Sequence, residues 1–154
     1  FDETFAQKLQ ERDIVADAEK ITMQEIQSMA IMTELDISGT YDNPGSLTSL
    51  RGIEYFEVLT KLNCNRNSLP ELDVSQNTEL TKLYCDDNQL KELDISRNTK
   101  LTYLSCENNP GDGNSGFPLT VWGDQAEKPG SLYVYQSGWW YNGKYITIEY
   151  QTAE

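Results

Sequence analysis

From residue 59 to residue 110 the apolar positions recur with a fixed period. Residues 59–79 read LTKLNCNRNSLPELDVSQNTE and residues 80–100 read LTKLYCDDNQLKELDISRNTK, identical at 13 of 21 positions. Residues 101–110, LTYLSCENNP, open a third copy. Each copy starts with strict alternation: Leu83 and Cys85 are separated by Lys82, Tyr84 and Asp86. That is a short strand with one buried face. Leu90 and Leu93 follow at wider spacing and are expected to pack the return side. A unit this short cannot hide its own apolar face, so successive units must stack. The pattern extends upstream. Thr33–Ser38 reads as an earlier strand with Leu35 and Ile37 inward. Leu47, Leu50, Ile53, Tyr55, Phe56, Val58 and Leu59 give a looser, 3₁₀-like return. Gly39–Gly45, rich in turn residues, should bulge outward. About four coils result, the first irregular.

The polar residues inside the period are equally regular. Asn67, Asn88 and Asn109 fall where the chain leaves each strand, and Asn77 and Asn98 at the opposite turn, followed by Thr78 and Thr99. A buried Asn amide has donors and an acceptor for the backbone of its own and the neighbouring coil, so two internal ladders are expected. Leu-x-x-Leu-x-Cys-x-x-Asn-x-Leu is the leucine-rich-repeat signature.

A stack exposes two raw ends. Residues 2–12 read as an amphipathic helix with Asp2 as N-cap and Phe5 and Leu9 on one face. Thr22-Met-Gln-Glu25 is a capping box that opens a second helix over 22–30, whose Ile26, Met29 and Ala30 would cover the first coil. After a turn-rich linker, Asn108–Gly116, strands are expected at Phe117–Trp122 and Ser131–Gln136, then a Trp-rich hairpin. Asn142-Gly143 fits a two-residue type I′ turn. That turn sets Tyr141 against Lys144, Trp140 against Tyr145 and Trp139 against Ile146. Trp139, Ile146, Ile148 and Tyr150 then face the core; Trp140, Tyr145, Thr147 and Glu149 face away. The fold class is an α/β solenoid: a right-handed leucine-rich superhelix with an N-terminal helical cap (1–32), repeats (33–110) and a C-terminal antiparallel β cap (111–154), one domain of 154 residues.

The blocks Leu-Thr-x-Leu-x-Cys-x-x-Asn and Leu-Asp-x-Ser-x-Asn-Thr resemble the 21-residue leucine-rich repeats of bacterial exported surface proteins, with internalins as more distant relatives. Arg51–Phe56, Pro110-Gly-Asp-Gly113 and the Trp-x-Tyr-x-Gly-Lys stretch ending at Lys144 are similar to that group too. The resemblance implies an extracytoplasmic protein, at the cell surface or secreted, with a lipid anchor as one form. A chain that opens on Phe1 fits removal of a leader. In such proteins the segment before the first strand often resembles a calcium loop. Here Ile21 and Glu25 match late positions of that pattern, but Ile14, Ala16 and Ala18 stand at ligand positions and Glu19 where Gly belongs, so no metal is expected.

Charge and chemistry narrow the role. Lys plus Arg number 12 and Asp plus Glu 25, a net charge of -13 that excludes ordinary nucleic-acid binding. There is no histidine, so the commonest general base and metal ligand are missing. No stretch is long and apolar enough to span a membrane. Cys64, Cys85 and Cys106 fall one period apart, which reads as core packing and not as a Cys-x-x-Cys metal site. Asp73 and Asp94, like Ser75 and Ser96, recur because the fold recurs. No catalytic residue and no cofactor is expected, and the chain reads as a non-enzyme.

What remains is the outward strand face, in three columns: Glu34, Lys61, Lys82, Tyr103; Asp36, Asn63, Tyr84, Ser105; Ser38, Asn65, Asp86, Glu107. The binding candidates are Lys61, Asn63, Asn65, Lys82, Tyr84, Asp86, Tyr103, Ser105 and Glu107. Tyrosines on a rigid sheet can anchor a protein partner, so protein recognition or adhesion is the expected role. Trp140, Tyr145 and Tyr133 form a separate candidate set for stacking on a sugar ring. A structural spacer is the third reading.

Overall fold

The computed structural model describes residues 1–153. Five short strands make one parallel sheet: β1 (Glu34–Asp36), β2 (Lys61–Asn63), β3 (Lys82–Tyr84), β5 (Tyr103–Ser105) and β7 (Tyr133–Val134), in that spatial order. The register follows the period: Leu35, Leu62, Leu83 and Leu104 align across neighbouring strands. These leucines and Cys64, Cys85 and Cys106 point inward and are buried. A leucine-rich solenoid is the result. Its apolar core runs continuously from Phe5 to Ile146, because each coil covers the face its neighbour leaves open.

Two amide ladders hold the coils. Asn88 Nδ2–H donates to the Cys64, Cys85 and Asp86 carbonyls at 3.0, 3.1 and 3.2 Å, while its Oδ1 accepts from Leu69 N–H at 3.1 Å. Asn67 and Asn109 repeat the pattern one rung away on either side. The residue before each of these asparagines, Arg66, Asp87 or Asn108, has a positive φ of 54–55°. A non-glycine residue there is strained, and the asparagine amide bonds across that turn offset the strain. At the opposite turn Asn98 Nδ2–H donates to the Val74 and Asn77 carbonyls, both at 2.9 Å, and Asn77 does the same for Ile53 and Phe56. Thr78 and Thr99 are exposed and take no part.

The N-terminal helices α1 (Glu3–Glu11) and α2 (Met23–Ala30) lie before the first coil. Asp2 caps α1 by accepting from Phe5 N–H, and Thr22 with Glu25 forms the reciprocal capping box on α2. Phe5, Leu9 and Met29 are buried against the first coil. A 3₁₀ turn, Ile53–Tyr55, forms in the irregular return. Its entry, Gly52, has φ 115°, and a Cβ there would lie 2.3 Å from the Phe1 ring, so only glycine fits.

The C-terminal region departs from the expected antiparallel cap. β6 (Gly116–Val121) pairs in parallel with β4 (Leu93–Asp94) on one side and with β10 (Thr147–Thr152) on the other, forming a second sheet on the return side. β7 pairs in parallel with β5. Among the described residues only the hairpin of β8 (Trp140–Tyr141) and β9 (Lys144–Tyr145) is antiparallel. The physical reason is that the chain keeps winding. Every edge left by the last repeat is met by a strand travelling the same way round the coil. The sheet therefore has five strands, not the four rungs counted from the period. Tyr133 follows Tyr103 by 30 residues, and the loop between them hides the extra rung from any test at a period of 21. Within the hairpin the expected partners do meet: Tyr141 with Lys144, Trp140 with Tyr145, and Trp139 O accepting from Ile146 N–H at 2.9 Å. Trp139 and Ile146 are buried, Ile148 and Tyr150 half-buried, and Trp140, Tyr145, Thr147 and Glu149 exposed.

Candidate functional site

The inward leucines and cysteines fix which side chains face out, so the period also builds the strand face. Lys61, Lys82, Tyr103 and Tyr133 share one column by register. Asn63, Tyr84 and Ser105 share the next, and Tyr135 enters it as its N–H bonds the Leu104 carbonyl at 2.9 Å. Three phenol rings pack in succession: Tyr84 to Tyr103 at 5.1 Å between centroids, and Tyr103 to Tyr133 at 5.5 Å with an interplanar angle of 29°. Tyr133 is 58% exposed and Tyr135 also stands open to solvent. Tyr135 is absent from the sequence-level candidates. The alternation Leu132, Tyr133, Val134, Tyr135 was the signal that could have found it, with Leu132 and Val134 buried and the two tyrosines outward.

Two candidates do not lie on the open face. Ser105 is 6% exposed and Glu107 is 4% exposed. The fifth strand covers them, which the period does not reveal. Ser105 Oγ–H donates to Asp86 Oδ1 at 2.8 Å. Glu107 accepts from Ser137 N–H at 2.6 Å and from Ser137 Oγ–H, tying the C-terminal segment to the last repeat. Trp139 Nε1–H adds a bond to the Asn109 carbonyl at 3.1 Å. Asp86 is half-buried at the margin of the tyrosines. Burial pushes its carboxyl above the ordinary range, against the Ser105 hydrogen bond and the Arg66 charge, while Asp87 adds repulsion. Asn63 bridges to Asp36 by an Nδ2–H bond at 3.5 Å, and its Oδ1 accepts from Asn65 N–H at 3.2 Å. Among the described residues Asn65 Oδ1 is buried with no hydrogen-bond partner.

The candidate sugar-stacking set is divided. Trp140 and Tyr145, 53% and 67% exposed, meet edge to face at 4.4 Å and 87° across the hairpin. Tyr133 lies in the five-stranded sheet, its ring against Tyr103. The cysteines are free and fully buried. Burial raises each thiol far above its usual range, with neighbouring negative groups adding to the effect. The Glu25 carboxylate, the late match to a calcium pattern, accepts from the N–H groups of Ala16 and Thr22, each at 2.7 Å. Among the described residues no three His, Cys, Asp or Glu side chains converge to hold a metal ion.

Structural comparison places this geometry. Over 73% of its length the chain superposes on the functional domain of InlJ from Listeria monocytogenes, which includes a cysteine ladder, with 38% identity and a TM-score of 0.55. The chain is an internalin-like leucine-rich-repeat protein. An internalin of the same species, InlF, matches over 70% of the chain with 25% identity and a TM-score of 0.57. The internalin-like chain spans only 22% and 30% of the lengths of these two neighbours. No family model and no curated protein matches it. Among the described residues no helix is long and apolar enough to cross a membrane.

Proposed function

We propose that this protein is a non-catalytic recognition or adhesion module of an exported bacterial surface protein, and that a protein partner docks on its strand face. The observation that carries the reading is the packed row of Tyr84, Tyr103 and Tyr133 on a rigid parallel sheet. Tyrosine offers a large contact area with few rotamers to immobilise, and rings already packed against each other lose little freedom on binding. Lys61, Asn63, Asn65, Lys82 and Asp86 supply the polar surround, with Tyr135 beside them. Ser105 and Glu107 serve from beneath by holding Asp86 and the fifth strand. An extracytoplasmic location, surface-attached, secreted or lipid-anchored, belongs to the same proposal. It is supported by the resemblance of the repeats to those of exported proteins.

The test is a double substitution, Tyr84→Ala with Tyr103→Ala, in pull-downs from host and bacterial surface extracts. Loss of a specifically captured protein supports the reading. Capture that is unchanged favours a structural spacer. A glycan-binding role has one observation in its favour, the solvent exposure of the Trp140–Tyr145 pair. Tryptophan emission titrated with a panel of sugars at millimolar concentration tests it, and a flat response removes it.

A further inference from the structure

We infer that the strand face takes an extended protein segment presenting a carboxylate side chain close to a proline or aromatic residue. This rests on the proposal that the face binds protein, and adds the chemistry of the segment. Lys61 and Lys82 are direct register partners on neighbouring strands. Neighbouring strands stand about 4.8 Å apart, and like charges set opposite each other repel. In a chain with 25 acidic and 12 basic residues, two lysines placed side by side run against the composition.

The acids here have contacts within the fold, two of them with a cation and two with neutral serine donors. Glu34 lies 3.8 Å from Lys61, and Asp87 lies 3.9 Å from Arg66. Asp86 accepts from Ser105 Oγ–H, and Asp36 accepts from Ser38 N–H and Oγ–H. Lys82, by contrast, is exposed, and among the described residues no carboxylate comes within 4.0 Å of it. Among the described residues Lys82 is therefore the lysine of this face that no carboxylate neutralises, and it stands beside a second lysine although the molecule is negative overall. A carboxylate set over Lys82 relieves the lysine–lysine repulsion and forms a charge-assisted hydrogen bond.

The same column then passes from ammonium groups to rings, since Lys82 is followed by Tyr103 and Tyr133. From Lys82 to Tyr133 is two strand spacings, about 10 Å. An extended segment covers that reach in about three residues at about 3.3 Å each. A proline or aromatic ring two or three positions from the acid therefore lands on the tyrosines, where an aromatic ring stacks and a proline packs its apolar face on the phenols.

The experiment selects binders on the immobilised protein from a displayed library of random dodecapeptides, with an oligosaccharide array run in parallel. The expected result is enrichment of sequences with Asp or Glu within about three positions of Pro, Phe, Tyr or Trp. The best peptide, synthesised and followed by fluorescence anisotropy, should bind about threefold to fivefold more weakly to Lys82→Gln. It should bind tenfold or more weakly to Lys82→Glu, on the order expected for like-charge juxtaposition. Lys82 is exposed, so unchanged melting temperatures separate these effects from misfolding. Enriched peptides that need Tyr103 but carry no acid, or carry basic residues instead, overturn the inference and leave protein recognition standing. No peptide enrichment together with binding to the array overturns both.

Discussion

Alanine at each of the three strand-side asparagines gives a graded set of losses, and the structure ranks them. Asn67, Asn88 and Asn109 are almost fully buried and make the same set of bonds. Ranking by position in the core would make the middle one, Asn88, the most costly. The hydrogen bonds say otherwise, because most carbonyls in the ladder have two donors. In Asn88→Ala the Cys64 carbonyl keeps Asn67 Nδ2–H, the Cys85 carbonyl keeps Asn109 Nδ2–H, and the Asp86 carbonyl keeps Arg66 N–H. Only the Leu69 N–H loses its partner. In Asn109→Ala the Leu90 N–H loses its acceptor and the Cys106 carbonyl loses its donor. In Asn67→Ala the Leu47 N–H and the Ile37 carbonyl are both orphaned. Each buried orphan costs about 1–3 kcal/mol, and the lost amide volume is common to all three variants. Asn67→Ala and Asn109→Ala should therefore each lose about 1–3 kcal/mol more than Asn88→Ala. Urea titrations followed by far-UV dichroism and tryptophan emission measure this, with coincident curves licensing the comparison. A middle variant as unstable as either end variant would refute the redundancy argument.

Three further outcomes follow from the same geometry. Glu107→Ala frees the Ser137 N–H and hydroxyl, so the Tyr135 amide, bonded to the Leu104 carbonyl, should exchange hydrogen about tenfold faster or more; an unchanged rate would show that Glu107 does not seat the fifth strand. Asp86→Asn keeps an acceptor for Ser105 and removes a charge that burial disfavours. Because the native carboxyl is raised, its stabilising effect is complete below the unfolded value near 4 and fades as pH climbs through the raised one. Wild type should thus gain stability over the variant as pH drops from about 7 toward about 4, and parallel urea midpoints across that range would contradict it. The buried thiols of Cys64, Cys85 and Cys106 should resist a disulfide reagent in the native protein and react together after denaturation; rapid native labelling of any one would mean that the column is open.

The sequence by itself determined the repeat. Thirteen identities over 21 positions specify which leucines and cysteines turn inward and where the asparagines stand. They do so because stacked coils force equivalent positions into one environment. The two helix caps and the Asn142-Gly143 turn were legible for a similar reason, since each depends on contacts within a few residues. Beyond residue 110 the period is lost, and with it the means of aligning one rung with the next. Only the tertiary structure brings Tyr133 beside Tyr103 and Ser137 onto Glu107, each across 30 residues of chain. It turns an expected antiparallel cap into parallel strands that continue the winding, and it buries Ser105 and Glu107. Such long-range pairings are chosen by whichever edges the last repeat leaves open, and no local preference along the chain encodes that choice.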